Sequence, residues 1–182
     1  MFFVPFFDFT IFEKMISLVF IFFGFSLCTN YFQHSGYFDV DSTKNNALFW
    51  WFFETNATAA PLILYLNGGP GCSSCLFSLY ESGPLEVSSQ GQVVPNVNSF
   101  SRFANLLYID GPIGTGLSYA TVLRSTEAEI ADDFVTALDQ FFVRFPAMST
   151  ADFYLFGESY AGKYIAHLGT KIAKTVSCNQ KI

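Results

Sequence analysis

The sequence predicts an α/β fold in which helices cover both faces of a mostly parallel central sheet. Three short apolar runs are almost continuous, at residues 61–66, 105–110 and 152–157, and each leads into a glycine-containing turn. Runs of this kind are typical of strands that are buried on both faces. Amphipathic helical patterns follow the second and the third run, and such alternation indicates an α/β layer arrangement.

The other elements follow from local sequence patterns. Residues 36–40 and the aromatic-rich segment 47–55 are predicted strands. Thr126 and Glu129 form the pattern of a capping box that begins a helix, and Pro146 ends that helix. Its apolar face carries Ile130, Phe134, Leu138, Phe141 and Phe145, and the second helical pattern carries Ile165, Leu168, Ile172 and Val176.

The composition is that of a folded, acidic chain. Its 182 residues are 51% hydrophobic and only 13% charged, so the chain is long and apolar enough to bury a core and is not disordered. The net charge of −6, without a cluster of Lys and Arg, argues against nucleic acids and anionic membrane surfaces as partners.

Residues 1–28 are predicted to be a leader, in which residues 15–28 form a secretory signal peptide. Lys14 precedes an apolar run with small residues near its end, as in signal peptides, and Met15 is an alternative start. The competing interpretation is a membrane anchor, but the run is shorter than the ~20 residues that a spanning helix needs. We therefore expect residues 29–182 to form the mature part, without a stable membrane span. Its expected location is the secretory pathway, either extracellular or in a lysosome or vacuole.

The cysteine count of the mature part is odd. Cys72, Cys75 and Cys178 remain after the leader, which in a secreted protein implies a free thiol or a bonding partner elsewhere. Cys72 and Cys75 also have the spacing of a redox or zinc pair, but no second pair accompanies them. We expect neither a metal nor a cofactor. In the secretory pathway, the sequon that begins at Asn56 is a predicted N-glycosylation site.

The strongest local pattern is the segment 157–162 (GESYAG), between a predicted strand and a predicted helix. This is the context of a nucleophile elbow, a sharp turn that lifts the hydroxyl of Ser159 clear of the sheet. The helix that follows would direct its N-terminal N–H groups at developing negative charge. On this segment alone, an ordinary turn with Ser159 as helix N-cap remains an open alternative.

A second loop favours the elbow. In such sites one oxyanion-hole N–H comes from the residue after the nucleophile, here Tyr160, and the other from a glycine-rich loop after an earlier strand. The segment 67–71 (NGGPG) follows an apolar run as required, and Gly68 and Gly69 let the backbone approach a substrate carbonyl. A hairpin turn is the alternative, but the order of the two loops argues against it.

Four ordered segments resemble the serine carboxypeptidase family, the group that includes lysosomal cathepsin A. They are LNGGPGCSS (66–74), YESGP (80–84), ANLLYIDGPIGTGLSY (104–119) and FYLFGESYAGKY (153–164), and SGYFDV (35–40) resembles the family's mature N-terminal strand. The resemblance covers about residues 33–176. It implies an α/β-hydrolase fold and the release of single amino acids from peptide or protein C-termini, which are the expected partners.

The resemblance also implies roles for individual residues. It makes Ser159 the nucleophile and Cys72 one half of a disulfide whose partner lies outside this chain. Gly69 and Tyr160 match the oxyanion-hole donors, Asn67 and Glu158 match the residues that bind the C-terminal carboxylate, Gly68 lies in the same binding loop, and Glu81 matches a second acidic residue beside Glu158.

The two acidic residues lead to an expectation about pH. A carboxylate cannot accept a hydrogen bond from another carboxylate, so Glu81 or Glu158 must hold a proton to bind an anionic chain end. Two close carboxyl groups raise the pKa of one of them, because both cannot ionise cheaply. Exopeptidase specificity is therefore expected to depend on acid pH.

This chain departs from the family pattern at three positions. Tyr65 stands where Trp is usual, Ala166 replaces a usual Pro, and Cys75 is unusual after the serine pair. The first two are expected to line or support the site and to alter its affinity.

The largest departure concerns the catalytic triad, whose Asp and His lie far downstream of the nucleophile in this family. The available histidines are His34 and His167, and the latter lies about 12 Å along a helix from Ser159, too far to act as its base. Asp110 precedes Ser159 and is predicted to be structural. We expect a truncated N-terminal part that is inactive alone, which a downstream segment or second chain would complete.

Three functions remain open from the sequence. The first is a serine carboxypeptidase, active in its full-length form. The second is a secreted, non-catalytic binding protein, and the third is an acyltransferase on the same scaffold. Asn67, Glu81 and Glu158 together favour the binding of peptide C-termini over acyl transfer.

Overall fold

The computed structural model describes residues 31–175 of the chain. Its strands are β1 (Tyr31–Asp41), β2 (Asn46–Thr55), β3 (Leu62–Leu66), β4 (Leu85–Val87), β5 (Val93–Pro95), β6 (Asn105–Ile109) and β7 (Phe153–Gly157). Its α-helices are α1 (Ser74–Phe77), α2 (Glu127–Arg144) and α3 (Ala161–Thr175), and 3₁₀ helices span Ser42–Lys44, Phe100–Arg102 and Pro146–Thr150. The predicted leader, Val176 and Cys178 lie outside the described residues.

Five of the strands form one sheet in the order β1-β2-β6-β3-β7. Strands β6, β3 and β7 pair in parallel, whereas β2 is antiparallel to both of its neighbours. Four of the five strands therefore point in the same direction, which confirms the predicted mostly parallel sheet. Strands β4 and β5 form a separate antiparallel pair.

Strand β2 shows why an aromatic-rich segment lies inside this sheet. Successive side chains of a strand point to opposite faces, and both faces are buried here. Trp50 and Phe52 pack beneath the long helices, whereas Phe49 and Phe53 enter a second cluster on the opposite face. Residues 47–55 therefore contribute large aromatic side chains to two cores at once.

The two faces of the sheet are covered differently. Helices α2 and α3 pack on the same face, where Phe134, Phe141 and Leu168 contact the sheet. The opposite face is covered by Cys75 of α1, by Phe100 of a 3₁₀ helix and by loops. The expectation of helices on both faces thus holds for residues 31–175 only through the four-residue helix α1.

Helix α2 begins and ends where its sequence predicts. The Thr126 hydroxyl and the Glu129 carboxylate each accept a hydrogen bond from the other's backbone N–H, which completes the capping box. The guanidinium of Arg124 donates two hydrogen bonds, of 2.7 and 2.6 Å, to the buried Asp133 carboxylate. The helix stops directly before Phe145 and Pro146. Its first turn is therefore fixed from both the cap and the preceding loop.

Strand β7 differs from its prediction as a strand buried on both faces. Within residues 31–175 it pairs only with β3 and so forms an edge of the sheet. Phe153 and Leu155 pack against the core beneath α2 and α3. Tyr154 and Phe156 point to the other face and remain 49% and 40% exposed. An apolar run alone does not reveal that one face of its strand is left uncovered.

Candidate active site

Ser159 lies in a sharp turn between β7 and α3. Its φ is 57°, in the left-handed region that residues other than glycine rarely adopt. The turn is closed by hydrogen bonds from Ala161 N to Glu158 O (3.0 Å) and from Gly162 N to Ser159 O (3.1 Å). A helix N-cap has an extended backbone instead, so the conformation is that of an elbow. The side chain is exposed above the sheet.

Small residues make this turn possible. A Cβ added at Gly157 would lie 3.0 Å from the carbonyl group of Ala161 and 3.1 Å from a methyl carbon of Ile165. Ala161 itself is fully buried. The first turn of α3 thus packs directly on the end of β7, and Ala161 is accommodated where glycine is common.

The glycine-rich loop after β3 packs against the same turn. A Cβ added at Gly68 would lie 2.5 Å from Tyr160 N and 2.8 Å from Glu158 O, so only glycine fits there. The Glu158 N–H also donates to Leu66 O (3.1 Å), which ties the elbow to β3. Gly69 follows with a φ of 107°, another left-handed conformation. The two predicted sources of oxyanion-hole donors therefore lie side by side.

The side-chain amide group of Asn67 has hydrogen-bond donors that no described residue accepts. Its side chain is 2% exposed, and its Oδ1 accepts a hydrogen bond from Gly68 N (2.9 Å). The Gly68 N–H is thus already hydrogen-bonded within the loop. Gly68 contributes to the site through the space that its missing side chain leaves. The Asn67 Nδ2 is buried and has no hydrogen-bond partner among the described residues. Buried donors of this kind are nearly always paired, so Asn67 Nδ2 is a candidate donor to a bound group.

The buried carboxylate of Asp110 holds the segment that directly follows the glycine-rich loop. Asp110 accepts hydrogen bonds from Ser73 Oγ (2.7 Å), Cys75 N (2.9 Å) and Leu117 N (2.9 Å). Burial raises the pKa of Asp110, and these donors oppose that effect. Ser74 continues the support, since its Oγ accepts a hydrogen bond from the backbone N–H of the loop's first residue (3.0 Å). The structural role predicted for Asp110 agrees with these contacts.

Tyr65 forms a hydrogen bond with one of the two acidic residues of the candidate site. Its hydroxyl donates a 2.5 Å hydrogen bond to Glu81 Oε2. Burial raises the pKa of the Tyr65 phenol, and the charges of Glu81 and Glu158 raise it further. The Tyr65 hydroxyl therefore stays protonated and contacts the Glu81 carboxylate directly. Sequence reasoning expected Tyr65, a departure from Trp, to line or support the site but missed its contact with Glu81. The mutual effect of the two carboxyl groups stays a prediction.

The Tyr160 side chain makes three contacts that sequence reasoning missed. Its hydroxyl donates to Glu127 Oε1 (2.5 Å), at the first residue of α2. The ammonium of Lys163 lies 4.7 Å from the ring centroid, and the Tyr164 ring packs edge-on at 5.3 Å. The spacing of Lys163 and Tyr164 on α3 gives a weak signal for the ring contacts, but nothing local indicates Glu127.

Both histidines of the chain lie away from Ser159. The His34 ring contacts Phe145 on the β1 side of the sheet, and its Nε2 is 3.6 Å from Glu54 Oε2. His167 lies on α3, where its Nδ1 is 3.0 Å from Lys163 O. The structure therefore places the turn that contains Ser159 beside the glycine-rich loop but does not bring either histidine to it.

The other predicted sites are placed as follows. Cys72 is partly exposed and Cys75 is buried, and they are not bonded to each other. Burial raises the pKa of the Cys75 thiol. Asn56 is exposed in the turn after β2.

Within residues 31–175 no cluster of metal ligands is found. Over the same range, no helix has the length and apolar character to cross a membrane.

The chain is similar to known proteins over most of its length. Residues 24–182 match the serine carboxypeptidase family. Serine carboxypeptidase S10 family member 1 of Dictyostelium discoideum is 42% identical over 156 residues, which cover 83% of this chain and 37% of that protein. Serine carboxypeptidase-like 49 of Arabidopsis thaliana is 37% identical over 154 residues, or 82% and 30% of the two chains.

A solved structure is similar as well. The crystal structure of a prohormone-processing carboxypeptidase from Saccharomyces cerevisiae matches with a TM-score of 0.71 and 33% identity, over 78% of this chain and 34% of that one. This likeness confirms the α/β-hydrolase fold. The chain thus spans only 23% to 37% of the first curated relatives that it matches. Because the family match covers residues 24–182, well over half of the chain, the chain belongs to the serine carboxypeptidase family.

Proposed function

We propose that the protein is a serine carboxypeptidase that removes C-terminal amino acids from peptides through an acyl-enzyme on Ser159. The observation that carries this proposal is the left-handed backbone of Ser159, packed against Gly68 of the glycine-rich loop. In the first step Ser159 Oγ loses its proton to a base and attacks the carbonyl carbon of the last peptide bond. The C–N bond breaks, the amino acid leaves with a proton, and water then hydrolyses the ester.

The oxyanion hole is assigned to the backbone N–H groups of Gly69 and Tyr160. The negative charge that develops on the carbonyl oxygen needs preorganised donors, each of which contributes about 10²- to 10³-fold to the rate in related sites. The close packing of Gly68 on Tyr160 N supports this assignment, because it places the two backbone segments together. The first turn of α3 adds the positive end of its helix dipole.

The C-terminal carboxylate of the substrate is assigned to Asn67 and the acidic pair. The Asn67 Nδ2 has no hydrogen-bond partner within residues 31–175, and a substrate carboxylate could accept its hydrogen bonds. The Tyr65 hydroxyl donates a hydrogen bond to Glu81, and the family resemblance assigns Glu158 to the same carboxylate-binding site. A carboxyl group that donates a hydrogen bond to an anionic chain end must carry a proton, so we expect this binding to be stronger at acid pH. Gly68 allows the close approach of the chain end to this loop.

The base and its supporting acid are assigned to residues outside the described range. Both His34 and His167 have contacts elsewhere, so neither is the base of Ser159. A downstream segment of the full-length protein, or a second chain, would supply the Asp and His of the triad. Residues 29–182 alone would then lack useful activity.

The cellular setting belongs to the same proposal. Entry into the secretory pathway would remove the leader and permit glycosylation at Asn56, whose exposed position suits a glycan. The partly exposed Cys72 thiol would pair with a cysteine outside the chain. An acidic compartment, or an acidic extracellular setting, would match the expected pH dependence.

The test is to treat the full-length protein with a fluorophosphonate probe and a blocked dipeptide at acid pH. We expect labelling at Ser159 and release of the C-terminal amino acid, and Ser159→Ala should abolish both. Transfer of an acyl group to an alcohol without hydrolysis would favour the acyltransferase alternative. Peptide binding without labelling or turnover would favour the non-catalytic binding protein.

A further inference from the structure

The residue after the proposed nucleophile is held through its side chain. The Tyr160 hydroxyl donates a 2.5 Å hydrogen bond to Glu127 Oε1, and hydrogen bonds to a charged acceptor are stronger than neutral ones. The ring also contacts the Lys163 ammonium, at 4.7 Å, and the ring of Tyr164, which is 1% exposed. Hydrogen bonding to Glu127 raises the pKa of the Tyr160 phenol, so the donor proton stays on Tyr160. The ring therefore has little freedom to move.

Glu127 is itself in a fixed position. It is the first residue of α2, directly after the N-cap Thr126 and two residues before Glu129, which close the capping box. The paired Arg124 and Asp133 side chains tie the preceding loop to the same helix. The carboxylate that binds Tyr160 is thus attached to a helix start that cannot move independently. It lies 33 residues away from Tyr160 along the chain.

The elbow needs such support. A left-handed backbone at a serine is strained and persists only where the surrounding structure holds it. Three hydrogen bonds close the turn after Ser159, from the N–H groups of Ala161, Gly162 and Lys163. Tyr160 N is packed so closely on Gly68 that a small displacement would change the position of this N–H. The anchor at Glu127 opposes such a displacement from outside the turn.

We propose that Glu127 is a positioning residue, which acts through the Tyr160 hydroxyl to hold the elbow and the Tyr160 N–H in place. It touches neither the substrate nor the reacting atoms. Its effect on catalysis rests on the proposed function, because it presupposes that the Tyr160 N–H stabilises an oxyanion. Its effect on the rigidity of the elbow does not depend on any activity.

The first experiment measures hydrogen exchange at the amides of Ala161, Gly162 and Lys163 in the full-length protein. We expect Glu127→Ala to speed their exchange about tenfold, since a hydrogen bond to a charged group is lost. Tyr160→Phe removes only the hydroxyl and should have the same effect. Glu127→Gln keeps an acceptor and should restore most of the protection.

The control is Asp132→Asn, which changes another acidic residue of α2. Asp132 pairs with Lys171 of α3 and does not contact the elbow, so exchange at the three amides should remain unchanged. Equal acceleration by Asp132→Asn and Glu127→Ala, or no acceleration by Glu127→Ala, would overturn the proposal. If Glu127→Ala fails to fold, Tyr160→Phe and Glu127→Gln still decide the question.

The second experiment measures hydrolysis of a blocked dipeptide. We expect Glu127→Ala and Tyr160→Phe each to lower kcat about five- to tenfold, with KM changed less than about twofold. The double variant should be no worse than either single variant, because both remove the same hydrogen bond. Additive losses, or a change in KM alone, would contradict the positioning role. A wild-type protein without activity would refute the proposed function, while the exchange experiment would still decide the role of Glu127.

Discussion

At the scale of single residues, the candidate oxyanion-hole loop depends on glycines and the candidate carboxylate-binding site on polar side chains. Gly68 is required because a Cβ would collide with the elbow, a demand that the NGGPG segment already indicates. The contact of Tyr65 with Glu81 spans 16 residues and depends on the path of the loop between them. Periodicity and motif spacing contain no information about such a path. The open Nδ2 of Asn67 likewise became visible only in the structure.

The acidic pair gives a prediction at this scale. Glu158→Gln in the full-length protein should weaken binding of peptides with a free carboxylate and shift the pH dependence toward neutrality. Gln stays neutral at all pH values and can donate its amide hydrogens, so protonation of the pair is no longer needed. We expect KM for free-carboxylate peptides to rise about tenfold at acid pH, and esters or amide-capped peptides to be affected less.

The measurement is the pH profile of kcat/KM for matched acid, amide and ester substrates. Asp132→Asn is a suitable control, because it removes an acidic charge on the outer helices without touching Tyr65 or the elbow. Equal losses on all three substrates at every pH would show that Glu158 does not bind the carboxylate.

At the scale of elements, local signals predicted the positions of the long helices and most strands. The capping box and Pro146 defined α2 because both signals act within a few residues. Strand β1 extends to Tyr31, five residues before the predicted start, because pairing with β2 stabilises residues without a pattern of their own. Helix α1 was missed because its four residues depend on the Ser73 cap and on Asp110. Tertiary contacts determine whether such short elements form, because their own sequences favour no particular secondary structure.

The link between Arg124 and Asp133 gives a prediction for α2. Asp133→Ala should lower the free energy of unfolding by about 2 to 3 kcal/mol, because it leaves a largely buried guanidinium unpaired. Lys171→Ala, at the more exposed pair with Asp132, should cost less than about 1 kcal/mol. Denaturant unfolding of the full-length variants measures both values. Equal effects of the two substitutions would mean that the buried pair has no special role in fixing the start of α2.

At the scale of the whole molecule, strand β7 differs from the sequence prediction in having one exposed face, whereas its open edge in the described part of the chain agrees with the expected lack of later strands beside it. The run 152–157 is apolar apart from Asp152 at its start, which indicates burial on both faces, yet Tyr154 and Phe156 are exposed. Nearby, Phe103 is 55% exposed and Phe100 contacts Phe156 across the same face. Within residues 31–175, β7 also has one edge without a neighbouring strand. Exposed edges and apolar patches of this kind favour association with other chains.

Residues 29–182 expressed alone should therefore associate and should not hydrolyse a blocked dipeptide. We expect Tyr154→Lys combined with Phe156→Lys to reduce association, because charged residues protect an edge strand. Val143→Lys, on the exposed outer side of α2, is the matched control and should have little effect. Size-exclusion chromatography and thermal unfolding provide the measurements. A monomer that melts cooperatively and turns over substrate, with activity abolished by Ser159→Ala, would refute this expectation.

The left-handed backbone of Ser159 also limits which other amino acids could serve as the proposed nucleophile. Threonine carries the same hydroxyl, but its second substituent on Cβ makes a positive φ costly. Cysteine has the same unbranched shape as serine and would fit without a change in the backbone. The conformation of this one residue therefore disfavours β-branched side chains such as threonine at this position, whereas unbranched side chains such as those of serine and cysteine are compatible with it.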